Sequence, residues 1–178
     1  MSRAVSAGRI SKNRAKAETE RKTKRLPHRV DYFHQLDDPY SHLVAQVIAD
    51  FAARYDIEIV PHLVRASGGR NQPEAEKLAI WARTDCGLIA PHYGLSFPEN
   101  AGRVPEPELQ KIAGQVLAGL TAQEFLARIK DISTAVWSGD PLGHLSSSTL
   151  SVKPQELETA LDKGSALLAV MNHYSGGT

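Results

Sequence analysis

Apolar positions alternate with polar ones in two short stretches of this chain and recur at three- and four-residue spacing in several longer ones. The run Val30-Asp31-Tyr32-Phe33-His34-Gln35-Leu36 is short and rich in β-formers, and reads as a strand. Asp37-Asp38-Pro39 then predicts a helix start. A carboxylate in this position accepts from N–H groups of the first turn, and Pro fits the first helical position. The helix that follows carries Leu43, Val44, Val47, Ile48, Phe51 and Tyr55 at helical spacing with alanines between them, and reads as one continuous core helix. The segment from Ile57 to Val64 alternates again, and Pro61, which cannot donate to a ladder, favours an edge. Strand, helix and strand in this order predict a βαβ unit with parallel strands and a right-handed crossover.

Beyond Ser67-Gly68-Gly69 the pattern is helical. Helices are predicted over Pro73–Cys86, with Leu78, Ile80, Trp81 and Ala82 as the apolar set, over Glu108–Leu120, over Thr121–Val136 and over Pro154–Met171. Thr121-Ala122-Gln123-Glu124 has the form of a capping box, and Gly164 marks an expected weak point in the last helix. Gly87–Pro107 is rich in turns, Ser138–Val152 is a polar loop, and Asn172–Thr178 is expected as a loop or the approach to a strand. The fold class expected is α/β, a βαβ unit joined to a large helical insertion.

Composition changes this picture in one place, the amino terminus. Residues 1–29 hold ten Lys or Arg against Glu18 and Glu20, so the net charge of +1 conceals a basic tail and an acidic body spanning 30–178. This arm reads as solvated and partly helical from Arg14 to Lys24, supported by oppositely charged i,i+4 pairs. No aromatic residue is interleaved to stack on bases, which disfavours nucleic acid as a partner. No apolar h-region follows the positive start and no apolar run approaches the length of a membrane span, so a cytoplasmic location is expected.

Candidate chemistry concentrates at Asp37-Asp38-Pro39-Tyr40-Ser41-His42, where the first strand meets the first helix. His34 and His42 flank two carboxylates there, a set of acid/base groups, although Asp38 serves equally as an ordinary helix cap. The seven histidines and the single Cys86 show no zinc spacing, so no metal is expected. Cys86 reads as a small buried hydrophobe.

The strand, the Pro and aromatic residue at the helix start, the edge strand with Pro61, the helical insertion with Asp85, and Tyr93-Gly94-Leu95-Ser96-Phe97-Pro98 occur in a specific order. In that order they resemble the DsbA-like thioredoxin-fold family, which includes DsbA-type thiol oxidoreductases, kappa-class glutathione transferases and 2-hydroxychromene-2-carboxylate isomerases. The resemblance covers about 30–178, with the insertion at about 70–171. It implies glutathione or a small molecule as ligand, Asp38 and Ser41 in the catalytic positions, and Pro39, Tyr40, His173 and Tyr174 around the cofactor.

The key position departs from the family. Its disulfide branch has Cys where Asp38 and Ser41 stand, so dithiol–disulfide exchange at this motif is chemically excluded. Its glutathione branch has a Ser before Pro that donates to the thiolate, whereas ionised Asp38 would repel it. The expectation is therefore a family member with weak or no redox activity, and, if it is an enzyme, a glutathione-dependent isomerase or transferase. The rival expectation is a non-catalytic interaction module that uses the basic arm. The resemblance further implies a C-terminal ββα module after a loop like Ser175-Gly176-Gly177-Thr178. A chain without it is expected to be a fragment, or to cover its open sheet edge with a partner or by homo-oligomerisation.

Overall fold

The computed structural model describes residues 7–66, 74–99, 103–141 and 152–175, with the backbone alone for Ala7 and 172–175. Among them the chain is mixed α/β and mostly helical, with seven α-helices and one two-stranded parallel sheet.

Helix α1 (Ala7–Lys24) has no apolar face and is held as a helix by its own charges. Glu18 bridges Arg21 at 2.8 Å and Lys22 at 3.4 Å, and Glu20 bridges Lys24 at 2.7 Å. The helix is longer than the expected Arg14–Lys24. It ends where Leu26 N–H donates to Arg21 C=O and Arg25 N–H donates to Lys22 C=O, both at 3.1 Å. This is the Schellman pattern, and it places Arg25 at φ 52°, a left-handed conformation that glycine usually supplies.

Strand β1 (His28–His34) and strand β2 (Ile57–Leu63) run parallel in the register Val30↔Ile59, Tyr32↔Pro61 and His34↔Leu63. Tyr32, His34, Ile59 and Leu63 are buried on the covered face. On the other face Phe33 stacks on His62 at 5.1 Å, and His62 Nε2 lies 2.8 Å from Asp31.

The crossover between the strands is two helices, not the single one expected. Helix α2 (Pro39–Ala45) and helix α3 (Ile48–Arg54) are separated at Gln46 and Val47, whose N–H groups donate to Leu43 and Val44, three residues back. Gln46 is also held from outside: its amide bonds both the N–H and the C=O of Ser96, at 3.1 and 2.9 Å. The tightened turn changes which residues face inward. Leu43, Ala45 and Ile48 are buried, while Val44, Val47, Phe51 and Tyr55 are exposed, so only part of the predicted apolar face is core.

Helix α4 (Ala75–Ile89) runs one turn further than predicted and continues into a 3-10 turn, Ala90–Tyr93. Its expected core residues Leu78, Ile80 and Trp81 are exposed, and Arg83 and Cys86 are buried instead. Helix α5 (Pro107–Ala118) and helix α6 (Ala122–Ser138) follow as expected. The capping box is present, with Thr121 N–H donating to Glu124 at 2.9 Å and Glu124 N–H to Thr121 Oγ1 at 3.4 Å. Phe125, Ile129, Ile132 and Val136 of α6 form the centre of the core with Val116 and Leu117 of α5.

Helix α7 (Pro154–Ser175) packs on β2 and α5. Gly164 is not a weak point in it but a point of close approach: a Cβ there would collide with the carbonyl oxygen of Leu63. Arg65, just past β2, fastens α7 through Glu158 and Asp162, and its N–H donates to Ser165 Oγ at 3.1 Å. The expected loop after Met171 is helix as far as Ser175.

Candidate functional site

The turn from β1 into α2 is built by its own side chains. Asp38, at φ −90° and ψ 120°, caps α2: its Oδ2 accepts the N–H of Ser41 at 2.7 Å, and Pro39 occupies the first turn. Ser41 is buried, and its Oγ accepts the N–H of Gln35 at 3.3 Å, closing the loop between strand and helix. Asp37 points elsewhere and accepts from Gln35 Nε2 at 2.9 Å. The two adjacent carboxylates therefore do not form an acid/base pair.

Tyr40 is exposed and reaches across to α4, where its hydroxyl donates to Asp85 at 2.7 Å. That bond, with burial and the Asp85 charge adding to it, pushes the phenol up to about 12. Cys86 follows Asp85 with 0% of its surface exposed. Burial first, then the Asp38 and Asp85 charges, push its thiol up to about 12, so it is protonated and inert near neutral pH. Helix α4 thus brings the chain's single sulfhydryl close to the helix-start motif in space, without making it reactive.

Behind the turn lies a buried polar pair of histidines. His34 Nδ1 is 2.9 Å from the Tyr32 hydroxyl, and its Nε2 meets no hydrogen-bond partner among the described residues. Burial, reinforced by His42, lowers it to about 3. His42 Nδ1 is 2.8 Å from Ser133 Oγ on α6, its ring stacks on Trp137 at 5.7 Å, and Gln46 Nε2 is 3.3 Å from its Nε2. Burial lowers it to about 4, against a hydrogen bond with the Ser96 backbone that raises it. Both rings are neutral near pH 7, and both are core groups, not the exposed acid/base groups suggested by their proximity to Asp38.

Of the expected site residues, Asp38, Pro39, Tyr40 and Ser41 share one turn, each with a structural role visible in the bonding. His173 and Tyr174 lie on the last turn of α7, and their side chains fall outside the described residues. Sequence reasoning missed the Tyr40–Asp85, Gln46–Ser96 and His42–Ser133 links. For the first, Asp85 stood out only through the resemblance. The other two join residues 50 and 91 positions apart and leave no local pattern.

Among the described residues no cluster of His, Cys, Asp and Glu could hold a metal ion, and no helix is long and apolar enough to cross a membrane. Comparison with protein-family models, with curated proteins and with solved structures finds no match to this chain.

Proposed function

We propose that this chain is a DsbA-like, thioredoxin-type domain whose helix start has lost thiol chemistry, so that it neither exchanges disulfides nor activates glutathione. The parallel βαβ core, the Asp38-Pro39 entry to α2 and the helices between β2 and α7 support the family reading. One observation carries the functional part: the carboxylate before Pro39 is bound to Ser41 N–H at 2.7 Å, where the resembling enzymes place a sulfhydryl or a serine hydroxyl. A thiolate brought there would meet a negative charge in place of a hydrogen-bond donor. The neighbouring hydroxyls do not replace that donor, since Tyr40 is bonded to Asp85 and Ser41 is buried. Glutathione, the ligand the resemblance implies, would bind in this reading beside Pro39 and Tyr40 as the protonated thiol. In assays of dithiothreitol-driven insulin reduction and of glutathione conjugation, the protein is expected to leave both rates at background. A rate proportional to protein concentration in either assay contradicts the proposal.

A second reading, an interaction module, rests on α1. It carries seven Lys or Arg against two Glu, and Arg9, Lys12, Arg14 and Lys16 have no acidic partner among the described residues. Such a helix attracts polyanionic or acidic partners in a salt-dependent way. It predicts binding that weakens steeply with added salt and is lost when residues 1–24, which end before β1, are removed.

A further inference from the structure

The first half of α1 repels itself. Residues 7–17 carry Arg9, Lys12, Arg14 and Lys16 and no acidic side chain, while Glu18 and Glu20 stand at the far end and already bridge Arg21, Lys22 and Lys24. Lys12 and Lys16, four residues apart, oppose each other. Cations near the helix start also oppose the positive end of its dipole. An external anion that neutralises these charges therefore stabilises the helix. Every residue from Gly8 to Ala17 is exposed, and α1 has no extensive packing against any other element, so all sides of this half are accessible.

The placement of the cations selects among anionic partners. At 100° per residue, Arg9, Lys12 and Lys16 fall within about 60° of one another, and Arg14 lies nearly opposite them. An acidic protein surface or an anionic membrane meets one side of a helix and is held largely by apolar anchors, of which this half offers only Ile10. A duplex groove has phosphates on both walls and needs no apolar anchor. The major groove of B-form DNA, about 12 Å wide, admits an α-helix of ordinary diameter. The lack of aromatic residues counts against single strands, whose bases are bound by stacking, and not against a duplex.

We infer that the first half of α1 binds duplex DNA, lying in the major groove with Arg9, Lys12 and Lys16 on the phosphates of one wall and Arg14 on those of the other. This inference rests on the reading of α1 as an interaction helix and narrows its partner.

Fluorescence anisotropy of a labelled DNA duplex, titrated with the full chain over a range of salt concentrations, tests it. Unlabelled duplex DNA, the RNA duplex and single strand of the same sequence, polyglutamate and phosphatidylserine vesicles serve as competitors. Four phosphate contacts predict that log Kd rises with log salt at a slope of about 3.6. Lys12→Gln and Arg14→Gln should each lower that slope by about 0.9, and Lys130→Gln, an exposed position on α6, should leave it unchanged. Glutamine sustains a helix as Lys and Arg do, so far-UV circular dichroism should show equal helix content in all variants. A slope that falls with Lys12→Gln and not with Arg14→Gln would overturn the inference. So would competition by any of the other four ligands, at equal charge, as strong as that by duplex DNA; either result leaves an anion-binding helix standing. No binding to any of these ligands at low salt would overturn both.

Discussion

His42 on α2 and Ser133 on α6 meet at 2.8 Å across 91 residues of sequence, and this contact ties the crossover to the central core helix. Both residues are almost fully buried, so the imidazole nitrogen has no access to solvent if the hydroxyl is removed. Ser133→Ala is therefore expected to destabilise the fold by about 1–3 kcal/mol, the cost of a buried polar group left unsatisfied. Urea unfolding at pH 7 measures this, and an unchanged midpoint would show that the contact is dispensable.

The two buried histidines also set an acid limit. Their folded-state values, about 3 for His34 and about 4 for His42, lie below the ordinary 6.5, so the unfolded chain binds more protons between those limits. Stability is fully present above pH 6.5 and falls as pH drops toward the folded values. The carboxylates of Glu18, Glu20 and Glu124 are held below 4.5 in the folded chain, so their own contribution is lost mainly toward and below pH 4.5, at the acid end of this range. Stability should fall across that range, and His42→Gln should be less stable at pH 7 with a shallower pH dependence. Equal slopes for the two proteins would contradict the assignment.

Gly164 gives a test in which helix propensity and packing predict opposite signs. Alanine favours a helix over glycine by about 1 kcal/mol, yet a Cβ at this position would collide with the Leu63 carbonyl oxygen. Gly164→Ala should lower stability by about 1–3 kcal/mol, as overpacking does. Gly8→Ala on α1, where a Cβ meets nothing within 4 Å, should not. A thermal-melting series of these two variants separates the effects.

Cys86 should behave as a core atom. Reaction with Ellman's reagent at pH 8 should be very slow in the native protein and complete on unfolding, because the thiol is enclosed and pushed up to about 12. Rapid native-state labelling would show that the α4 end opens, and would reopen the possibility of sulfur chemistry beside Asp38.

The sequence patterns identify correctly those elements whose signal is local. The Asp38-Pro39 cap, the Thr121–Glu124 box and the parallel pair β1–β2 follow from spacing and residue type within a few positions. The buried faces of α2, α3 and α4 depart from their apolar stripes because apolar periodicity identifies a stripe without saying what lies against it. A break at Gln46–Val47 turns Phe51 and Tyr55 outward, and α4 buries its Arg83–Cys86 side, leaving Trp81 outside. The same limit applies to the site: Asp38 is readable as a cap, whereas Tyr40–Asp85 and His42–Ser133 exist only once α4 and α6 pack against α2.

The proposal that the Asp38-Pro39 turn is a thioredoxin-type helix start without its sulfur has a direct test. Asp38→Cys combined with Ser41→Cys places two thiols at positions 38 and 41, the outer one at the start of α2 and the inner one buried against the β1–α2 loop. Measured by dithiothreitol-driven insulin reduction, the double variant should catalyse turnover that neither the parent chain nor either single variant shows. A folded double variant that forms no 38–41 disulfide and leaves insulin reduction at background would contradict the account.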